Sequence, residues 1–433
     1  MFCSNRSYLR RVLAAGAAAA GALVLLSGVA GAAFPGVNGP IVFQSTRAAS
    51  ASGCLYGSTS ELFVKLTVSP FSVPQLDCTG STDQHPFVSP DGSQVIFASN
   101  RNDGVDFELF TMPLATDGTA TGTPVDVSQN LPSGASDDYP SWAPVGPGGQ
   151  NRIIFQSTRG GGLPELYTED LNTPGSVAPV FSPSQTQTYS DTEPVYDPSN
   201  PNEIAFVRTQ GSGKSQIYTY KFTTQALINL SAADGDQSSN DSKPDFAPAV
   251  DGKGDQVIVF QSDRPTPNAA NGPCVGTQLF TMSDQAGSPV KPVFQQLTGS
   301  PPQPNGVQVC ATSKDSVQVA TGTKVAVENP VFSPDGTQIA FDQLASPQTA
   351  GTTQDIFTGY SVPFSGGAAQ TGSLVDLTPN YATDVAPSWA SGGPGTGTPE
   401  VPNTLLLPLV GGGVVGAAVL VARRNRRRSS AAS

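Results

Sequence analysis

One pattern recurs six times along the middle of this chain of 433 residues. It is an Asp, two variable residues, a Pro, then an aromatic and a second turn element. The copies are Asp83-Gln-His-Pro86-Phe-Val-Ser-Pro90, Asp137-Asp-Tyr-Pro140-Ser-Trp-Ala-Pro144, Asp191-Thr-Glu-Pro194-Val-Tyr-Asp-Pro198 and Asp241-Ser-Lys-Pro244-Asp-Phe-Ala-Pro248. A fifth, Val327-Glu-Asn-Pro330-Val-Phe-Ser-Pro334, has Val for Asp, and the sixth, Asp384-Val-Ala-Pro387-Ser-Trp-Ala390, is the last. The first prolines are 54, 54, 50, 86 and 57 residues apart. A period of this size marks a propeller or another repeat array.

Each unit continues alike. A turn follows the second Pro, as in Asp91-Gly92 and Asp335-Gly336, where Gly supplies the left-handed conformation of a tight hairpin. A β-rich run comes next: Val95-Ile96-Phe97, Ile153-Ile154-Phe155, Ile204-Ala205-Phe206, Val257-Ile258-Val259-Phe260 and Ile339-Ala340-Phe341. Ser-x-Arg closes that run at Ser45/Arg47, Ser99/Arg101, Ser157/Arg159 and Ser262/Arg264. A third run pairs Leu or Ile with an aromatic, as in Leu109-Phe110, and a weaker fourth follows, as in Leu227-Ile-Asn-Leu230. Four short antiparallel strands per unit make a propeller blade. The first unit begins at its second strand, Ile41 to Arg47, and the last is only an opening strand, Asp384 to Ala390. Pairing 384–390 with 40–47 would close the ring and remove an open sheet edge. The expected fold is therefore all-β: a six-bladed propeller of four-stranded antiparallel blades over residues 34–390.

The ordered series of these elements resembles TolB-type, WD40-like propeller repeats, over nearly all of residues 40–390. Two units depart from it: Ser-x-Arg is missing after Phe206 and after Phe341, and in the latter unit Val327 replaces Asp. The resemblance implies a protein-interaction platform in the bacterial envelope.

The two ends give the compartment. Residues 1–33 read as a signal peptide, with Arg6, Arg10 and Arg11, an apolar helix from Val12 to Ala30, and an A-x-A site at Ala30 to Ala33. Residues 391–403 form a Gly/Pro/Thr linker. Residues 404–422 are apolar enough for a transmembrane anchor of about 28 Å as a helix, and 423–433 form a basic cytoplasmic tail. Pro399-Glu400-Val401-Pro402, the apolar stretch and the Arg cluster together resemble the three-part C-terminal sorting signals of the PEP-CTERM class, which implies processing near Pro402. The propeller would then stand outside the cell membrane, on the cell surface. Cys54, Cys78, Cys274 and Cys310 remain after removal of Cys3 and read as disulfides of an exported chain. Four cysteines allow three connectivities; Cys54–Cys78 with Cys274–Cys310 brackets one insertion each.

The net charge is −12, and eight of the 22 basic residues are arginines of the two ends. What lies between is strongly acidic, which disfavours nucleic acid. Candidate site residues are those before each first Pro: His85, Tyr139, Glu193, Lys243 and Asn329, with Ala386 as the sixth. On the innermost strands they would crowd the channel mouth, where polar and aromatic groups converging on a concavity suit a ligand. The repeated Asp83, Asp137, Asp191, Asp241 and Asp384 offer two readings: carboxylates for a cation such as calcium, or acceptors that brace each blade through the Ser-x-Arg arginine. Regular repetition favours bracing, and no cofactor is expected. Trp142, Tyr196, Phe246, Phe332 and Trp389 share one repeat position and read as core between blades. A single His and no Gly-x-Ser-x-Gly leave little for hydrolase chemistry. The expected function is non-enzymatic binding of an envelope or extracellular protein, or a glycan, by a monomer. The alternatives are a carbohydrate- or peptide-active propeller enzyme using carboxylates and a structural surface protein.

Overall fold

The structure is a computed structural model. It describes residues 36–47, 60–66, 73–128, 131–144, 151–173, 175–181, 188–211, 213–233, 238–248, 256–264, 277–284, 291–292, 295–296, 307–308, 327–344, 354–360, 375–378 and 383–392. The expected signal peptide, anchor and tail, and Cys54, Cys274 and Cys310, lie outside the described residues; of the expected linker, Ser391 and Gly392 are instead the end of the last strand, and the rest lies outside too. Among the described residues no helix is long and apolar enough to cross a membrane. Cys78 is disulfide-bonded, with its partner outside the described residues.

Five four-stranded antiparallel sheets follow one another along the chain. Blade 1 holds β3 (Asp83–Val88), β4 (Gln94–Ser99), β5 (Glu108–Pro113) and β6 (Val125–Asp126). Blade 2 holds β7 (Asp137–Trp142), β8 (Arg152–Ser157), β9 (Glu165–Asp170) and β10 (Ala178–Pro179). Blade 3 holds β11 (Tyr189–Asp197), β12 (Asn200–Gln210), β13 (Ser215–Lys221) and β14 (Ala226–Asn229), followed by the single-turn helix α1 (Leu230–Ala233). Blade 4 holds β15 (Asp241–Phe246), β16 (Val257–Ser262), β17 (Gln278–Ser283) and β18 (Lys291–Pro292). A small hairpin, β19 (Gln295–Gln296) and β20 (Val307–Gln308), precedes blade 5, which holds β21 (Val327–Phe332), β22 (Gln338–Leu344), β23 (Gln354–Tyr360) and β24 (Val375–Asp376).

The chain's two halves meet in a sheet of β1 (Val37–Ser45), β2 (Glu61–Lys65) and β25 (Asp384–Gly392), in the order β2-β1-β25. Strand β25 runs antiparallel to β1, with Ile41 opposite Trp389 and Ser45 opposite Asp384. A Cβ on Gly39 would lie 2.7 Å from the Ala390 carbonyl oxygen, so the closing strands approach too closely for any side chain there. The expected six four-stranded blades are corrected here: among the described residues there are five, and the sheet that joins β1 to β25 has three strands. After β2 the chain returns for one isolated bridge, Phe63 to Gln75. Pro74 contributes its carbonyl to Val64 N–H at 3.0 Å but has no N–H to extend the ladder.

The core is layered between sheets. The central Phe of each second strand, Phe43, Phe97, Phe155, Phe206, Phe260 and Phe341, is fully buried. Trp142, Tyr196, Phe246 and Phe332 are buried as expected, while Trp389 is half-buried and donates its Nε1–H to Gly39 O at 3.0 Å.

The repeated aspartates are braces. Asp83 lies across the ladder from Ser99, Asp137 from Ser157, Asp241 from Ser262 and Asp384 from Ser45. Each carboxylate then takes the guanidinium two residues beyond the Ser: Arg101 reaches Asp83 at 3.0 Å and Arg264 reaches Asp241 at 2.5 Å, with Arg159 on Asp137 and Arg47 on Asp384. The guanidinium carbon sits over two aromatic rings of the same blade, as Arg101 does over Phe97 at 5.1 Å and Phe110 at 4.7 Å. Blade 3 has the brace without Ser-x-Arg, because Arg208 occupies the Ser place itself, opposite Asp191, and bonds it at 2.6 and 2.7 Å. Blade 5 alone puts Val327 opposite Gln343. The Gln343 amide is buried with no hydrogen-bond partner, the residue of a lost pair.

Because Asp137 is fully buried, Asp137→Ala would strand Arg159 without its anion. The expected loss is about 3–5 kcal/mol of folding free energy, read as a lower urea midpoint with an unchanged slope.

Candidate functional site

The innermost strands of the five blades carry a bulge two residues after the repeat's Asp, or after Val327 in blade 5, where the register shifts between Gln84 and Phe87, Asp138 and Ser141, Thr192 and Val195, Ser242 and Asp245, and Glu328 and Val331. The bulged residue is the one before Pro. His85, Tyr139, Glu193, Lys243, Asn329 and Ala386 all have positive φ, between 48° and 53°. None is Gly, so each costs on the order of 1–3 kcal/mol of local strain that neighbours must offset. The compensation is visible in where the N–H groups go. His85 N–H donates to Gln44 Oε1 at 2.9 Å, Glu193 N–H to Gln156 Oε1 at 3.0 Å, Asn329 N–H to Gln261 Oε1 at 2.8 Å and Ala386 N–H to Asp342 Oδ1 at 3.2 Å. Each acceptor follows the central Phe of the preceding sheet, so the bond latches one blade to the next. Where that place holds Ala98 or Val207, a mouth carboxylate substitutes: Tyr139 N–H goes to Asp138 Oδ1 at 2.8 Å and Lys243 N–H to Glu193 Oε2 at 2.7 Å.

These six residues line one cavity. The His85 and Tyr139 rings stack with centroids 3.6 Å apart. Asp138 Oδ1 lies 2.7 Å from His85 Nδ1. On the other side of the Tyr139 ring stands Lys243 Nζ, 3.9 Å from its centroid, which also donates to the Tyr139 hydroxyl and pairs with Glu193 Oε1 at 3.2 Å. Burial pushes the Tyr139 hydroxyl up to about 12, against the pull of the Lys243 charge. Burial works against the Lys243 ammonium, but Glu193 and Tyr139 outweigh it and hold its pKa above the usual lysine value. Asn329 Nδ2 donates to Asp342 Oδ1 at 2.8 Å. Four of the mouth side chains thus form one interlocked rim, Asn329 is tied to blade 5, and Ala386 leaves a gap.

Beneath the rim is a cavity of about 110 Å³. Its wall is a collar of six prolines, Pro86, Pro140, Pro194, Pro244, Pro330 and Pro387, and its floor is Phe87, Val195, Asp245, Val331 and Ser388. The floor residues also roof a second cavity of about 20 Å³, one water's worth of space. Asp245 was not singled out by the repeat, because only this copy has a carboxylate after its Pro. Its side chain keeps some contact with the channel. Oδ2 accepts Phe332 N–H at 2.8 Å. Burial pushes this carboxyl up to about 7, and the backbone N–H bonds of Phe332 and Phe246 only partly resist.

The five repeated aspartates face away from this space into their arginines, and among the described residues no group of three or more His, Cys, Asp or Glu is placed to hold a metal ion. Antiparallel pairing puts the ends of second and fourth strands at the mouth end. The residues flanking segments 48–59, 265–276 and 345–353 therefore lie at that end too.

Neither a family model nor a curated protein sequence matches the chain. Solved structures do. TolB from Acinetobacter baumannii aligns over 82% of this chain and 67% of its own, at 17% identity and a TM-score of 0.50. Hydrazine synthase of Kuenenia stuttgartiensis aligns over 83% of this chain at 16% identity and a TM-score of 0.50, and this chain spans about half of it, 48%. A putative TolB from Agrobacterium tumefaciens aligns over 75% of this chain and 98% of its own at 17% identity, with a TM-score of 0.42. The likeness is one of fold: an all-β propeller of antiparallel blades, with TolB from Acinetobacter baumannii among its structural neighbours.

Two outcomes follow for the mouth. Ala386 makes no side-chain bond to lose, so Ala386→Gly should relieve its positive φ and stabilise the fold by about 0.5–1 kcal/mol after the entropy of Gly in the unfolded chain, read by chemical denaturation. For Asp245, the folded pKa lies above the ordinary 3.8. Its contribution to stability is thus full below about pH 4 and lost as pH rises through about 7. Asp245→Asn should melt higher than the parent at pH 8 and level with it at pH 4.

Proposed function

We propose that the chain is a non-enzymatic binding propeller of the cell envelope, held at the membrane by residues 404–422, and that the channel mouth receives a protein partner. The observation that carries this reading is the mouth itself. Six strained, non-Gly residues are presented around one apolar cavity, at the end where the long connections also leave and return. A scaffold that, among the described strand residues, maintains positive φ at this one ring fits a positioned recognition surface. Both carboxylates at the mouth are engaged, Asp138 by His85 and Glu193 by Lys243. This supports binding over turnover. The TolB-like fold adds to the case by analogy alone.

The test is capture from envelope extract. The full-length chain should retain a partner that a Tyr139→Ala, Glu193→Ala, Lys243→Ala variant, shown folded by its far-ultraviolet spectrum, releases. Equal retention by both would remove the mouth from the account.

A further inference from the structure

We propose that the mouth cavity is a socket for a lysine side chain of the protein partner, its methylene stem passing the proline collar and its ammonium meeting the Asp245 carboxylate. This deepens, and rests on, the reading of the mouth as a binding site.

Asp245 is the one ionisable residue of the cavity floor. Its recorded partners are two backbone N–H groups, and among the described residues no cation pairs with it. The mouth's own Lys243 stands two residues earlier on the same strand and is turned to Glu193 and Tyr139. A carboxylate left in apolar surroundings is costly until a counter-charge arrives. The walls decide which cation suits it. Six prolines with Phe87, Val195 and Val331 give apolar contact and little hydration. That suits an ammonium on an apolar stem better than a strongly hydrated bare ion. Length agrees: rim and floor lie two strand residues apart, about 7 Å, within reach of a four-carbon stem. The cavity of about 110 Å³ has room for one such side chain. Ala386, the smallest of the six mouth side chains, obstructs the stem least. An acidic chain, −12 overall, draws basic partners.

The probes are two blocked pentapeptides, acetyl-Ala-Ala-Lys-Ala-Ala-amide and the same peptide with norleucine for lysine, titrated calorimetrically into the full-length chain at pH 8. The parent should bind the lysine peptide about tenfold or more tightly than the norleucine peptide, because the latter leaves Asp245 unpaired. Asp245→Asn, which keeps an oxygen for Phe332 N–H, should bind both alike. Asp117→Asn, an exposed carboxylate on the opposite end of blade 1, should behave as the parent. Equal binding of both peptides by the parent, discrimination retained in Asp245→Asn, or binding of neither peptide overturns the socket. Equal binding that the triple mouth variant abolishes would overturn the socket while leaving the mouth as a binding site. Binding of neither, with a partner still captured from extract through the mouth, would do the same.

Discussion

The buried aspartate–arginine pair is the interaction on which the rest of this structure depends. An arginine taken out of water needs an anion and a surface for its planar face. Each braced sheet supplies both: the Asp of the innermost strand and the aromatic rings of the second and third strands. The pair therefore ties three strands at one end, where the loops enter. Its net worth against a hydrophobic replacement is small or negative by ordinary accounting. Its value here is positional, since it decides which way the first turn of the innermost strand faces.

From that fixed point the mouth follows. Two residues beyond each Asp the chain bulges, adopts positive φ and then meets Pro, whose ring forbids a relaxed return. At His85, Glu193 and Ala386 the strain is held by two things at once, the brace on one side and the N–H latch to the preceding sheet on the other. At four of the six positions, His85, Glu193, Asn329 and Ala386, the latch ties the mouth residue to its neighbour's second strand. Blade 5 lacks the brace but keeps the latch through Asp342, which shows that the two devices are separable.

Much of this was legible in the sequence. Turn residues, the alternation of short β-rich runs and the intervals between prolines identify the propeller, because the physics of a blade is local. The mouth residues were legible for the same reason: they are the positions that vary inside a constant frame. Three features were not. Arg208 fills the brace from an unexpected position, which a search keyed to Ser-x-Arg spacing passes over, although side-chain length permits it. The three-stranded closing sheet depends on Pro74 ending a ladder, a detail of register rather than pattern. Asp245 looked like one variable residue among several; its importance comes from burial and from what it lacks beside it, and neither is written locally. The recurring Phe-Gln-Ser at 43–45, 155–157 and 260–262 was a signal for the latch that the pattern contained.

The function proposed rests on the same chain of causes: a brace that orients a strand, a bulge that presents a side chain, and a ring that gathers six of them over an apolar cup. The central claim is that the brace holds the mouth. It is tested most directly by amide hydrogen exchange in Arg159→Met, which removes one guanidinium while leaving its methylene packing. The account predicts that the N–H groups of Tyr139 and Glu193, the mouth positions of blade 2 and of the blade it latches, lose protection while those of Lys243, Asn329 and Ala386 keep theirs. Unchanged protection at Tyr139 and Glu193, or an equal loss at all the mouth positions, would contradict it.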